Sequence, residues 1–532
     1  MWFFRRKTPP SPSSLYVWLM AGAVFLVKSL YILLTSMRGL ASLTWLIDDS
    51  FIEMRIARNI ALGSGFSLDG LHPTTGAPFF WIYLTSFNHL LLGKESAIRV
   101  TLMESALFGA LATVVVFFIA LKLTEDRRVA WTSFLLSTFT ANAFFNAMNG
   151  MDTAFFTLFV LLSLGAFLGV GKPARWSPLA WGCVTGLMVG ITMMTRGDGL
   201  FLLIGLGAYK LYVWWAAPPH ERREHGRFLL GMLLVSGICF SIFMGWQLMQ
   251  TGSPFPGNQV GRRELALALH GFSFDRFSLL PYLKIVVWNI FQLEDLLTIA
   301  TGGSLLGLVA FLSGSLQRRL RPLGVISGIY LGIFFLLLVG YQWYFANFHG
   351  LRYINPAAHI LFIFIAQFLW QLPLEFWKRG TVVFLGLCIA GFATYKHYQM
   401  SSRLPWAPYV SYIGRADPEK NRIFWSTLDW MRDNLPPDTV VGIRDYGRAS
   451  MFTDVRIQDL AGNVDPEVAF ALDRGTLKDY LKQRNVQYLL IPSLEQRKDK
   501  LYQYLHSQLR LEPVAGAPKP PLLPSLYKIV WE

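Results

Sequence analysis

Charged residues are scarce in this sequence. Asp, Glu, Lys and Arg make up 15% of its 532 residues, whereas a soluble globular domain carries about 25%. Hydrophobic residues make up 53% of the chain, so lipid is the solvent to which most of it is adapted. This composition excludes a soluble globular protein for the larger part of the chain.

Cysteine is also rare, and each of the 3 cysteines lies within an apolar run: Cys183, Cys239 and Cys388. There they can pack as small hydrophobic side chains, but they cannot crosslink the polar parts of the chain. The sequence has no Cys/His spacing typical of a metal site and no Gly-rich phosphate loop. Zinc modules and P-loop nucleotide sites are thereby excluded.

Long apolar runs are the main feature of the sequence. About eleven of them reach the 17–25 residues that a helix needs to cross a bilayer. They lie near residues 15–35, 97–121, 129–147, 153–171, 179–196, 199–216, 227–248, 296–315, 321–341, 355–373 and 380–397. The sequence therefore predicts a multi-pass α-helical membrane protein with about eleven crossings.

The net charge of +15 does not indicate nucleic acid, because the basic residues occupy alternate short loops between the runs. By the positive-inside rule these loops and the N-terminus lie in the cytoplasm, and an odd number of crossings puts the C-terminus outside. The first run lacks a small-residue cleavage site, so it is predicted to stay as an anchor in the plasma (inner) membrane.

Three longer segments fall on the predicted outer side, at residues 45–96, 251–295 and 398–532. Residues 1–397 would form the membrane module, and 398–532 are long enough for a separate exported domain. In this domain "TVVGI" and "VQYLLIP" indicate strands, and "EVAFALDRGTLKDYLKQR" has helical periodicity. We expect an α/β domain that acts as a lid or guides an acceptor, with Asp445 and Asp459 in turns or on its surface.

Two adjacent aspartates, Asp48 and Asp49, follow the first apolar run in "TWLIDDSFIEMRIARNI". Helix capping is the plain explanation, but Ser50 and Glu53 already have the spacing of a capping box. The two carboxylates repel each other at a membrane boundary, and both effects raise a carboxylate pKa. Such a group is suited to accept a proton from a hydroxyl.

The residues that follow predict an amphipathic helix in the membrane interface, because Ile52, Ile56 and Ile60 share one face and Gly63 ends the pattern. The aromatic residues of "APFFWIYL" predict a second interfacial element. Lys28, inside the first run, is expected to extend its amine towards the outer surface.

A third acidic residue, Asp152, also stands at an outer helix mouth, in "NAMNGMDTAFF". Its plain role is to stabilise a helix N-terminus. If its helix adjoins that of Asp48, the two can share the work of base, acceptor orientation and binding of a divalent cation. Cationic residues on the outer side are suited to hold a phosphate, although anchoring to lipid headgroups is equally plausible for each: Arg196, Arg262, Arg263, His349 and Arg352.

Taken in order, these motifs resemble the GT-C glycosyltransferases, and in particular mycobacterial-type terminal arabinofuranosyltransferases. The similar segments are "DDSFIEMRIARNIALGSGFSLDG", "GMDTAFF", "TRGDG", "GSPFPGN" and "GLRYINP", and further similarity extends into "NLPPDTVVGIRDYG" and "DRGTLKDYLKQRNVQYLL". The chain departs from that group in two places: "TRGDG" lacks the usual proline, and "HPTTGAPFFW" matches its motif only loosely.

The resemblance implies an inverting transferase that takes a sugar from a polyprenyl-phosphate donor at the outer face. It implies Asp48 as general base, with Asp49 and Asp152 in support. The acceptor would be a cell-envelope glycan or lipid, and membrane lipids the surroundings. The alternatives are a transporter or flippase of lipid-linked sugars, a glycan polymerase or ligase, and a membrane scaffold. A transporter would show repeated halves and ionisable groups at the membrane midplane, neither of which is evident.

Overall fold

The structure is a computed structural model. It describes residues 12–42, 46, 48–140, 146–254, 303–333, 355–373, 375, 380–381, 418–444, 446–462, 464–491, 500–518 and 525–531. Up to residue 373 the described elements are all helical, and an α/β unit follows from residue 418.

The described helices of this part are α1 (Pro12–Leu34), α2 (Met37–Ala41), α3 (Asp48–Ala61), α4 (Phe79–Leu91), α5 (Lys94–Thr124), α6 (Arg127–Phe139), α7 (Thr153–Phe167), α8 (Pro178–Thr195), α9 (Gly199–Ala216), α10 (Pro219–Thr251), α11 (Gly303–Leu316), α12 (Arg321–Ile333) and α13 (Asn355–Gln371). Ten of them, α1 and α5 to α13, account in whole or in part for ten of the predicted apolar runs. The eleventh run, 380–397, lies outside the described residues except for its first two positions.

Five of the described helices are long and apolar enough to cross a membrane: α1, α5, α8, α9 and α10. The shorter α7 and α12 are apolar as well. Because a bilayer core is about 30 Å thick and a helix rises 1.5 Å per residue, helices of 18 or more residues reach most of the way across. The chain is a helical membrane protein.

Helices α8 and α10 pack with their backbones in close approach. Gly182 and Gly186 face the backbone of Phe228 and Met232 so closely that a Cβ on either glycine would collide with a carbonyl oxygen. Small residues at four-residue spacing allow this approach in membrane helices. The close pair fixes the outer end of α8, where Arg196 follows.

One end of the bundle gathers the basic loops. Arg319, before α12, pairs with Glu125, after α5, at 2.9 Å. At the start of α6 the guanidinium of Arg128 lies 5.0 Å from the ring of Trp370 in α13. Exposed pairs of this kind add little stability, but they show that three of the basic loop ends lie together. The opposite end carries α3, α4 and the α/β unit.

Helix α3 differs from its prediction. It is buried on both faces, since Ile52 and Ile56 are buried and so are Glu53, Arg55 and Asn59. The polar face is covered by protein, since Asn59 donates to the carbonyls of Ser67 and Leu68, so α3 does not lie free in a membrane interface. Burial, with a smaller effect of Arg58, lowers the pKa of Arg55 to about 10, which leaves it charged near neutral pH.

The C-terminal unit contains a five-stranded sheet in the order β2-β1-β3-β5-β4. β1 runs parallel to β2 and β3, and β5 runs antiparallel to β3 and β4. Its elements are α14 (Pro418–Asn434), β1 (Val440–Ile443), α15 (Gly447–Phe452), β2 (Arg456–Asp459), α16 (Glu467–Asp473), α17 (Leu477–Gln483), β3 (Val486–Ile491), α18 (Lys500–Gln508), β4 (Arg510–Pro513) and β5 (Ser525–Val530).

Both strands named from the sequence are present, as β1 and β3. The single helix expected between them is instead two, α16 and α17, separated at Gly475. Gly475 has φ +73°, a left-handed conformation that glycine adopts without steric cost and that ends a helix.

The sheet unit docks on the outer segment of the membrane module. Arg38 holds both carboxylate oxygens of Asp429, at 2.8 and 2.9 Å. The ring of Phe51 in α3 meets that of Phe452 edge-on, with centroids 5.4 Å apart. A two-point guanidinium–carboxylate contact and a buried aromatic pair fix the orientation of one body on the other.

Candidate active site

Asp48 is the first residue of α3, and its carboxylate faces the C-terminal unit. Oδ2 accepts the backbone N–H of Gly447 at 2.5 Å, and Oδ1 accepts that of Arg448 at 3.2 Å. The guanidinium Nε of Arg448 is 3.7 Å from Oδ1. A carboxylate at the start of α15, bonded to its exposed N–H groups, is held by charge-assisted bonds at a fixed place.

Gly447 is required at this contact. A Cβ at that position would collide with the backbone carbonyl of Asp48, which cannot move aside as a flexible side chain could. The α3 backbone and the α15 backbone therefore touch directly. Sequence reasoning missed both Gly447 and Arg448, because nothing local in "RDYGRAS" indicates a partner some 400 positions earlier.

Arg448 is completely buried, with 0% of the residue exposed. Its guanidinium lies 4.2 Å from the ring of Phe424, and Nη1 donates to the Asn421 side chain at 3.0 Å. The Asn421 amide in turn donates to the hydroxyl of Ser42 at 2.8 Å. This chain of contacts runs from the end of α2 through the C-terminal unit and back to Asp48.

Ser50 does not cap α3, since the helix already begins at Asp48. Its hydroxyl instead donates to the carbonyl of Asn149 at 2.5 Å. The predicted capping box of Ser50 and Glu53 is therefore wrong, because the helix starts two residues earlier than the pattern suggested. The bond ties the first turn of α3 to the turn that precedes Asp152.

Asp152 lies immediately before α7 and is 2% exposed. Its Oδ2 is 3.7 Å from Nη1 of Arg196, whose Nε donates to Asp198 at 3.0 Å. The guanidinium also lies 4.9 Å from the ring of Phe156. Arg196 thus sits between two carboxylates, which compensate its charge within a largely dry environment.

The two acidic sites lie on one continuous surface. Asp48 and Ser50 belong to the first turn of α3, and Ser50 holds the turn that leads into Asp152. Gly150 in that turn has φ +71°, and a Cβ there would press on Met54 and Leu102. The prediction that the helices of Asp48 and Asp152 adjoin is consistent with these contacts. Asp49, between Asp48 and Ser50, is half-buried.

Lys28 was expected to extend towards the surface, but it is 4% exposed. It is buried inside the bundle instead of reaching the surface.

Four of the predicted phosphate ligands lie outside the described residues: Arg262, Arg263, His349 and Arg352. Within the described ranges, no group of three or more His, Cys, Asp or Glu side chains converges as a cation site would require. Asp48 faces N–H donors and Asp152 faces a guanidinium.

Part of the sequence matches a known protein family, and the fold is similar to solved structures. Residues 81–251 match the family described as dolichyl-phosphate-mannose-protein mannosyltransferase. The fold is similar to that of ArnT from Cupriavidus metallidurans bound to undecaprenyl phosphate, with a TM-score of 0.59 and 13% identity over 98% of both chains. Residues 81–251 thus resemble this mannosyltransferase family, and the chain shares the fold of ArnT.

Another solved structure shares this fold. The oligosaccharyltransferase AglB from Archaeoglobus fulgidus, in complex with an inhibitory peptide and a dolichol-phosphate, aligns with a TM-score of 0.54 and 13% identity, over 90% of this chain and 69% of AglB. The mycobacterial arabinofuranosyltransferase AftD aligns less well, with a TM-score of 0.43 over 40% of its length. At such identities the similarity establishes the fold and not the substrate.

The C-terminal unit matches a separate family, described as a domain of unknown function (DUF8728), over residues 415–530. This span agrees with the described α/β unit, which begins at Pro418. No curated protein gives a significant match to the whole sequence.

Proposed function

We propose that this chain is a GT-C glycosyltransferase, which moves a sugar from a polyprenyl-phosphate donor to a cell-envelope glycan or lipid acceptor, with inversion at the anomeric carbon. The observation that carries the proposal is the fixed carboxylate of Asp48, held against Gly447 and Arg448 at the end of the bundle opposite the basic loops. ArnT and AglB, whose folds are similar, are described with undecaprenyl phosphate and dolichol-phosphate, which supports a lipid-phosphate donor.

In this proposal Asp48 is the general base. An acceptor hydroxyl attacks the anomeric carbon, its proton passes to the carboxylate, and the bond to the lipid phosphate breaks with both electrons leaving on the phosphate oxygen. The two backbone N–H bonds occupy only part of the carboxylate's acceptor capacity, which is about four lone-pair positions. They orient the remaining positions.

Asp49 and Asp152 support the base in different ways. Asp49, the neighbouring residue in the first turn of α3, would help to orient the acceptor beside Asp48. Asp152 is held by Arg196 at the adjoining helix mouth, where it can accept a hydrogen bond from the acceptor. Because two carboxylates already compensate Arg196, we assign it to positioning Asp152 instead of binding the donor phosphate.

The leaving phosphate needs cations, and we propose that Arg352, His349, Arg262 and Arg263 supply them. Guanidinium groups bind phosphate oxygens two at a time and stabilise charge that develops on the leaving group.

The topology that this reaction requires has about eleven crossings, a cytoplasmic N-terminus in the plasma (inner) membrane and an exported domain after residue 397. Its support is the gathering of basic loops at the end of the bundle opposite α3. A lipid-linked donor and a polar acceptor would then meet between the membrane module and the α/β unit.

The test is transfer by the purified protein in nanodiscs, with a panel of polyprenyl-phosphate sugars and delipidated cell-envelope glycan as acceptor. Product mass separates addition of one sugar from polymerisation or transfer of a whole glycan. In cells lacking the protein, mass spectrometry should show accumulation of one lipid-linked sugar. Movement of the intact lipid-linked sugar across the membrane without transfer would instead indicate a flippase.

A further inference from the structure

A cavity of about 340 Å³ lies between the first outer segment and the C-terminal unit. One wall is the 68–75 segment, and the other is formed by β2 with the loop that follows it. Thr251 and Ser253, at the end of α10, close the base. The volume is at the lower end of the range of about 300–1,000 Å³ that is typical of ligand pockets.

Hydrogen bonds fix both walls of this cleft. On one side Asp69 accepts the backbone N–H groups of Leu71 and His72, each at 2.9 Å, and meets the His72 ring at 2.6 Å. On the other side Asp465 accepts the Gln458 amide at 2.7 Å. Walls held in this way are preorganised, so a ligand does not have to order them on binding.

The second wall is further braced by the C-terminal unit. Tyr480 donates its hydroxyl to Asp465 at 2.6 Å, and Arg484 reaches the same oxygen at 3.3 Å. Thr74, on the first wall, donates to the carbonyl of Val464 at 2.6 Å and joins the two sides. The cleft is therefore a built feature of the docked domain and not a gap between loosely associated parts.

Asp459 forms the floor. The sequence suggested a turn or surface residue, but it is 1% exposed and accepts backbone N–H groups from Ala461 at 2.6 Å, Val464 at 2.8 Å and Asp465 at 3.2 Å. Burial raises the pKa of Asp459 to about 6, although the three N–H groups act in the opposite direction.

The lining has an excess of negative charge. Three carboxylates, those of Asp69, Asp459 and Asp465, face one guanidinium, that of Arg484. A phosphate or uronate would be repelled here, so the donor's lipid phosphate has no place in this cleft. Hydroxyl, amide, imidazole and carboxylate groups side by side instead suit a neutral ligand that both donates and accepts hydrogen bonds.

We propose that this cleft binds one neutral sugar unit of an extended acceptor glycan, at a distance from the reacting hydroxyl. The inference rests on the proposed function and adds a distal acceptor subsite to it. Asn59 binds the carbonyls of Ser67 and Leu68 at the edge of the cleft, and it lies 11 residues along α3 from Asp48. At 1.5 Å per residue this is about 16 Å, a span that several sugar units would cover.

The experiment measures sugar binding to the full-length protein in nanodiscs without donor. The probes are neutral hexasaccharides of arabinan, mannan and galactan, with hexagalacturonate as the anionic counterpart. His72→Ala removes a half-exposed imidazole from the cleft, and Gln458→Ala removes a wall amide. His506→Ala is the matched control, because that ring lies against Tyr527 in the same unit but does not line the cleft.

At least one neutral hexasaccharide should bind, hexagalacturonate should not, and each cleft variant should weaken binding about 3- to 10-fold, as expected for one lost hydrogen bond. The control variant should bind as the unaltered protein does. Thermal melting checks that Gln458→Ala is folded, and His72→Ala stands as the test if it is not.

Absence of binding by all three neutral probes, equal binding of the uronate, or unchanged binding in His72→Ala would overturn the subsite. Because no donor is present, these results are independent of catalysis. Normal sugar transfer without cleft binding would remove only this inference. Cleft binding without any transfer would remove the proposed reaction.

Discussion

The carboxylate of Asp48 accepts the backbone N–H of Gly447 at 2.5 Å, across 399 positions of sequence. The contact brings the first acidic residue of the outer segment against the start of a helix in the C-terminal unit. The same unit therefore completes the surroundings of the proposed base. A domain that only covered the site would not need a glycine at the point of contact.

Asp48→Asn should lower turnover by at least ~100-fold, the lower range for loss of a general base. Donor binding should remain nearly intact, since the amide keeps the shape and one acceptor oxygen. Asp49→Asn should cost less, and Asp152→Asn should fall between the two. Initial rates of transfer and a separate donor-binding assay in nanodiscs make the comparison.

Because Asp48 also joins the two bodies, a docking control is needed. Asp429→Asn weakens the separate contact with Arg38 and leaves Asp48 untouched, so it should reduce turnover only slightly. An equal loss in both variants would mean that Asp48 acts through docking alone. Near-normal turnover in Asp48→Asn would remove it from the mechanism.

Gly447→Ala should loosen the C-terminal unit, because the added Cβ collides with the backbone of Asp48. Limited proteolysis between the membrane module and the α/β unit should become faster, and turnover should fall with it. Gly245→Ala is the control, since a Cβ there meets nothing within 4 Å. Unchanged proteolysis in Gly447→Ala would contradict the direct backbone contact.

Arg196→Ala should destabilise the protein by about 3–5 kcal/mol, the cost of leaving a buried charge without its partner. The double change Arg196→Gln with Asp152→Asn should recover part of that loss, because no uncompensated guanidinium or Asp152 charge remains. Thermal unfolding in nanodiscs gives the stabilities. If Arg196 binds the donor phosphate instead, the donor affinity of the folded single variant will fall, which our assignment does not expect.

The topology predicts that a membrane-impermeant maleimide labels Leu71→Cys from outside and Glu221→Cys only after permeabilisation. Leu71 lies exposed in the 45–96 segment, and Glu221 lies in the first turn of α10 beside the basic residues Arg222 and Arg223. Replacement of the three native cysteines provides the background. The reverse labelling pattern would move the site to the cytoplasmic face and end the proposed mechanism.

Arg352→Ala should weaken donor binding by roughly 1.5–3 kcal/mol, the range for hydrogen bonds to charged groups. Arg352 lies outside the described residues, so the expectation rests on its place just before α13. Titration with a polyprenyl-phosphate sugar measures the affinity, and Arg474→Ala, in an exposed pair of the C-terminal unit, serves as control. Equal affinities in the two variants would rule out the role.

Much of the architecture was determined by the sequence alone. Apolar runs of sufficient length have to be membrane helices, because lipid offers no hydrogen-bond partner to an open backbone. The alternation of basic loops predicted which loops lie together at one end of the bundle. Two segments rich in β-branched and apolar residues predicted the strands β1 and β3. The sequence also pointed to Asp48 and Asp152, whose catalytic role stays a prediction.

Only the tertiary structure decided what surrounds these residues. The partners of Asp48, Gly447 and Arg448, come from a domain some 400 positions away, and no local pattern encodes such a contact. Helix α3 has the sequence pattern of an amphipathic helix, but the structure buries its polar residues as well as its apolar ones. The burial of Lys28 was missed for a similar reason. A period of 3.6 residues shows which residues share a helix face, but not which neighbouring elements cover that face.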